Sequence, residues 1–200
     1  MSYITEAELI EIESRYGKPV EYQAEFAMPS DEFNFVKTTQ KHGRAHDITM
    51  FIVHEGMLLF TAKHFYPPNL YRAPSGAAKP GEGIEAGAKR EAREETGVEI
   101  ELERYLAKIK VRFTNSGSAG EYIDWTSYVF KARYISGDIE PQDKREIREA
   151  KFIDPESIPS FNKIMKKSTL GGFHYRAFLT EKVMQLLGSE LVAVDEKEHK

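Results

Sequence analysis

The sequence predicts an α+β fold, and three observations predict it. Runs of aromatic and β-branched residues of strand length recur along the chain. Three other stretches, near the beginning, the middle and the end, place apolar or charged residues at helical spacing. Short turn sequences join two pairs of the strand-like runs, which makes each pair a candidate hairpin.

The elements follow in order. Thr5-x-x-Glu8 reads as a capping box, after which Leu9, Ile12 and Tyr16 share one helical face until Gly17 and Pro19. Segments 20–27 and 32–39 read as strands of a hairpin around Met28-Pro29-Ser30-Asp31. Residues 47–54 and 57–63 flank Glu55-Gly56 as a second hairpin. A loop over 64–84 follows, with four prolines and three glycines, and a loop of that length in a compact chain is usually functional. Residues 85–96 have helical spacing and are closed by Gly97. Strand-like runs come next at 98–113, 122–135 and 149–153, the first two joined by a Ser/Gly loop at 114–121. Leu179, Val183 and Leu186 mark a helix over 173–187, with Gly188 as a stop and a polar tail over 189–200.

Bulk properties narrow the function. The 200 residues are 40% hydrophobic and 30% charged, a globular balance with room for a real core. A net charge of −4 lacks the basic signature of a protein that binds duplex nucleic acid. With no cysteines, disulfides, thiolate nucleophiles and Cys-based zinc sites are excluded. The apolar runs are too short to cross a membrane, and the first residues lack the pattern of a secretion signal, so a cytoplasmic setting is expected. No Walker-type loop, dinucleotide-binding glycine pattern or Gly-x-Ser-x-Gly elbow is present.

The chemistry concentrates in residues 74–98. Glu91, Glu94 and Glu95 stand at i, i+3 and i+4 and share one helical face. Like charges so placed repel by roughly 0.2–0.5 kcal/mol per pair when exposed, and by more when partly buried. A divalent cation removes that repulsion, and Mg²⁺ prefers hard oxygen ligands and binds phosphates as well. A metal held this way can neutralise a bridging phosphate and activate a water. Gly76, Gly81 and Gly83 let the preceding backbone approach a ligand, Glu82 lies close by, and the helix N-terminus is a candidate anion site.

Gly76, Glu82, Arg90-Glu91, Glu94-Glu95, Gly97 and Val98 stand at the spacing G-x5-E-x7-R-E-U-x-E-E-x-G-U, with U aliphatic, so this stretch resembles the Nudix box. Ala92 is smaller than the usual aliphatic residue at its position. The resemblance implies a Nudix-like α/β/α sandwich with a mixed β-sheet. It also implies a hydrolase domain over 45–188, preceded by an extension over 1–44 that is a candidate for homodimer contacts. It implies Mg²⁺, with Mn²⁺ as the alternative, bound by Glu91, Glu94 and Glu95, with the backbone near Gly76 as a further ligand and Glu82 as either a ligand or a partner of the ligands. Arg90 would orient the set. The implied reaction is hydrolysis of a phosphoanhydride bond in a small nucleoside diphosphate derivative. A house-cleaning nucleoside triphosphatase and a non-catalytic nucleotide-binding module are the alternatives.

The resemblance places the general base either in the box or on a later loop; on the loop Glu146 is favoured, ahead of Glu140, Glu149, Glu121 and Asp124. The lead-in to the box loosely resembles that of ADP-ribose and nucleotide-sugar pyrophosphatases, which makes Lys63, Tyr71 and Arg72 candidate substrate contacts. The proline common in ADP-ribose pyrophosphatases about 15 residues past the box is absent, since Val111-Arg112-Phe113-Thr114 stands there. His42 and His46 have helical metal-ligand spacing without a third ligand, Trp125 reads as core, and Lys163, Lys166 and Lys167 read as a solvated face. The GGFHYR string at 171–176 has no assigned role beyond opening a helix.

Overall fold

In a computed structural model, residues 4–40 and 43–192 are described. The elements run α1 (Glu6–Tyr16), β1 (Val20–Met28), α2 (Ser30–Thr39), β2 (His46–His54), β3 (Met57–Lys63), β4 (Ser75–Gly76), α3 (Ile84–Thr96), β5 (Glu99–Asn115), β6 (Tyr122–Ser136), β7 (Ile147–Ile153), α4 (Ile158–Lys167) and α5 (Gly171–Val192). One mixed sheet has the order β1-β5-β6-β2-β3-β7, with β4 paired to β2. The β1/β5 and β2/β6 pairs are parallel, and the other pairs are antiparallel.

Alternation along the strands builds the sandwich. Ile48, Met50 and Ile52 of β2 face one core with Ile12 of α1 and Ile84, Ala88 and Ala92 of α3. Phe51, between them, faces the opposite core with Phe33 of α2, Phe161 of α4 and Leu179 and Val183 of α5. The α/β/α arrangement expected from the box is therefore observed. The small Ala92 lies fully buried on the face of α3 turned to the sheet.

The Glu55-Gly56 hairpin is present, and both turn residues have positive φ, as a type I′ hairpin turn requires. Segment 32–39 is not a strand. It belongs to α2, whose Asp31 and Glu32 lie in the first turn where the helix dipole favours them. Phe33 and Val36, at i and i+3, turn one face of that helix to the core. Without a hairpin partner, β1 pairs parallel with β5 instead.

Two helical features differ at the end of the chain. Helix α4, which a short 3-10 turn at Pro155–Ser157 introduces, lies in a segment for which the sequence predicts no element. Gly188 does not stop α5, because it lacks the left-handed φ of a capping glycine and the helix continues to Val192. Of the expected polar tail, residues 193–200 lie outside the described residues. Among the described residues no helix is long and apolar enough to cross a membrane.

Candidate active site

Helix α3 is fixed from both ends. The predicted capping box is half realised: the Glu8 amide donates to Thr5 Oγ1 at 3.2 Å, but the Glu8 carboxylate reaches across to the Ile84 amide at 2.6 Å. The N-terminus of α3 thus binds an anion from the chain itself, rather than standing open to a phosphate. At the other end Gly97 caps the helix with φ 84°, and the Glu94 carbonyl accepts the amides of Gln142 and Asp143 at 3.0 Å each. The loop before β7 is thereby tied to the same helix.

Arg90 lies at the centre of the carboxylates. It donates to Glu82 at 2.6 and 3.0 Å, to Glu91 at 2.8 Å, to Glu94 at 2.8 Å and to the Ala77 carbonyl at 2.7 Å. The hydrogen bond to Glu82, with Glu91 beside it, holds the guanidinium above its ordinary pKa. Glu82 also accepts the Lys79 amide at 2.7 Å, and chiefly its bond to Arg90 holds it below the usual carboxylate range. Glu91 behaves oppositely. Burial pushes its carboxyl up, and Glu94 adds to the effect.

Glu95 is the most enclosed member, with 4% exposure. It accepts the Ser75 amide at 2.9 Å and lies 3.7 Å from the buried Arg72 guanidinium. Burial still pushes its carboxyl up despite these partners. Arg72 is itself held by the Tyr66 hydroxyl at 2.7 Å, the Ala73 carbonyl at 2.9 Å and Ser75 Oγ at 2.6 Å. A second guanidinium, Arg176 of α5, approaches the same Ser75 hydroxyl at 3.2 Å while bonding Asp47 at 2.5 Å and Thr49 at 3.1 Å. Asp47 is buried in β2, accepts from the Ser127 hydroxyl, and is held below its ordinary pKa by Arg176 against the opposing effect of burial. Tyr175 donates in turn to Ser127.

These groups border a cavity of about 570 Å³. Gly76, Arg90, Glu91 and Glu95 line it, as do Lys63, Arg72 and Glu146. Glu94 and Glu82 do not; both are turned to Arg90. Tyr71 is not at the cavity either, because its ring is buried against Phe161 with Lys151 over its face. Glu146 is ion-paired with Lys63. The other candidate bases point elsewhere: Glu140 to Lys144, Glu149 to Arg148, Glu121 to Asn115 and Asp124 to Arg112.

The carboxylates fit a hard cation by chemistry, though they are not gathered around one point. Among the described residues no three acidic or histidine side chains form an ion-binding set, since the Arg90 guanidinium stands among Glu82, Glu91 and Glu94. Two observations favour the fit. Glu91 and Glu95 both stand at the cavity wall, where burial pushes their carboxyls up, a cost that a bound cation would offset. Gly76 also leaves a cradle for Glu91, because a Cβ there would meet Glu91 Cδ at 1.9 Å and Oε2 at 2.2 Å. Gly76→Ala is therefore expected to displace the Glu91 carboxylate and lower turnover by about a hundredfold or more, equivalent to roughly 3 kcal/mol. Steady-state kinetics beside a thermal melt check it, and unchanged turnover would show that Glu91 can move without loss.

His46 is no metal ligand paired along a helix. It lies buried in β2, where burial lowers its pKa to about 4, and His42 lies outside the described residues. Several cavity residues had no assigned role in the sequence: Phe35, Arg44, Asp47, Tyr175 and Arg176, with Trp125 read only as core. Asp47 carried a usable signal, an acid at the head of the apolar run ITMFIV. Arg176 carried another, in the unexplained GGFHYR string.

Comparison with known proteins places these observations in a family. Residues 41–170 match the NUDIX domain. The NAD-capped RNA hydrolase NudC of Stutzerimonas stutzeri (strain A1501) is 32% identical over 103 residues, which are 52% of this chain and 34% of that protein. The chain thus spans about a third of the length of this relative. A crystal structure of a UDP-X diphosphatase superposes with a TM-score of 0.52 at 17% identity, covering 79% of this chain and 72% of that one. A NUDIX hydrolase from Nitrosomonas europaea superposes with a TM-score of 0.50 at 18% identity, covering 70% and 91%. The two structures support the fold alone.

Proposed function

The chain belongs to the NUDIX family, and from that premise we propose that it is a Mg²⁺-dependent hydrolase of the phosphoanhydride bond in a nucleoside diphosphate derivative, of the ADP-ribose or nucleotide-sugar kind. One observation carries the substrate class. The cavity is lined by six cationic side chains, Arg44, Lys63, Arg72, Lys79, Arg90 and Arg176, against four carboxylates, Asp47, Glu91, Glu95 and Glu146. The site therefore has a surplus of positive charge inside a chain of net charge −4. That surplus suits an anion, and the volume suits a ligand of nucleotide size.

Glu91 and Glu95, with Glu94 beside them, would hold the divalent cation. When bound it supplies neutralisation of the phosphate charge and polarisation of the phosphorus under attack. The remaining work falls to the chain. Arg90 fixes the Glu91 and Glu94 carboxylates, while the Ser75 amide and Arg72 fix Glu95. Lys63, at the cavity beside Glu146, faces the phosphates. A phosphate oxygen arriving beside Lys63 draws its ammonium and frees the Glu146 carboxylate. Glu146 then takes a proton from the attacking water as the new P–O bond forms and the bond to the leaving phosphate breaks.

The test is a panel of ADP-ribose, nucleotide sugars, NAD, NAD-capped RNA and nucleoside triphosphates, with products identified. NAD and its RNA adduct belong in it because the curated relative is a hydrolase of NAD-capped RNA. The expected result is two monophosphate products from a diphosphate derivative, with activity lost to excess chelator. Activity that survives chelation contradicts the metal reading. Turnover of triphosphates alone contradicts the substrate class.

A further inference from the structure

We propose that the apolar side of the cavity is a nucleobase clamp, with the exposed Phe35 ring as one jaw and Arg44 with Trp125 as the other. The inference rests on the nucleotide reading above and names how the base of that substrate is held.

Phe35 is 69% exposed, yet it lines the cavity. The helix that carries it is firmly placed. Phe33, two residues earlier, is 1% exposed in the core. Glu32 accepts the amides of Gly171 and Gly172 at 2.8 and 2.9 Å and so pins α2 to the start of α5. Ser30 at the start of α2 donates to Asn115 Oδ1 at 2.8 Å. A large apolar ring is thus presented at the cavity on a fixed support, with most of its own surface exposed.

The other jaw is already a stack. The Arg44 guanidinium lies 5.3 Å from the Trp125 ring centroid, and both residues line the same cavity. Val36 and Phe113 extend the apolar lining. Arg90, Glu91 and Glu95 of α3, with Ser75 and Gly76 of β4, line the same cavity. A diphosphate held at those groups leaves its attached nucleoside to this apolar part. Ring faces and a guanidinium plane recognise a flat π-system, which a nucleobase supplies and a phosphate does not.

The experiment uses two non-hydrolysable ligands with the same bridging group, α,β-methylene-ADP and methylenediphosphonate, each titrated calorimetrically with Mg²⁺ present. Trp125 is the single tryptophan, so its fluorescence follows occupancy of this part of the cavity independently. Phe35→Ala is expected to weaken α,β-methylene-ADP roughly tenfold, the order that loss of one base stack gives. It is expected to leave methylenediphosphonate unchanged, and Phe35→Tyr should restore nucleotide affinity. Unchanged nucleotide affinity in Phe35→Ala, or equal losses for both ligands, overturns the clamp. If the wild type binds neither ligand, the nucleotide reading itself fails, and the clamp with it.

Discussion

Glu91→Gln is expected to lower kcat by about a thousandfold, equivalent to roughly 4 kcal/mol of barrier, while the melting temperature stays close to wild type. The substitution preserves volume, and its amide oxygen can still accept from Arg90, which donates to Glu91 at 2.8 Å. What it removes is a negative charge that burial already disfavours. The folded protein loses little by giving up such a charge. A divalent cation loses a ligand. The opposite signs of the two effects make the variant informative: turnover near wild type would reduce α3 to a charged helix face, and a large fall in melting temperature would make Glu91 a structural residue.

The second large effect is on stability. Arg72→Met leaves Glu95 buried with its cation gone, and breaking a buried pair in this way costs about 3–5 kcal/mol. Both side chains are 6% exposed, so solvent screening rescues little. The loss also strips partners from the Tyr66 and Ser75 hydroxyls. A fall in melting temperature of roughly 10 °C follows for a chain of this size. The double variant Arg72→Met with Glu95→Leu should recover much of it, because no unpaired charge remains. If Arg72→Met melts with the wild type, Glu95 is compensated elsewhere, and Arg72 is free for another task.

The sequence exposed the local features well. Gly97 ends α3, Glu55-Gly56 turns the second hairpin and Glu91, Glu94 and Glu95 share a face, because each is decided within a few residues. Features that needed a distant partner were not legible. Segment 32–39 looks like a strand by composition, yet it is a helix whose Glu32 binds the start of α5, about 140 residues away. The Glu8 carboxylate looks like half of a local cap and instead holds the first amide of α3. Arg176 stands in the GGFHYR string, which names no partner for it. Only the fold brings it to Asp47 and Ser75. Tyr71 shows the converse error, since closeness to the box in sequence did not bring its ring to the cavity.

The central claim is that the carboxylates of α3 bind a divalent cation. Titration with Mn²⁺, reading the free ion by electron paramagnetic resonance, tests it without reference to any substrate. The account predicts saturable binding by the wild type, competition by Mg²⁺, and affinity at least tenfold weaker in Glu91→Gln with the fold retained. Equal Mn²⁺ affinity in the two proteins, or no saturable binding by the wild type, would contradict it.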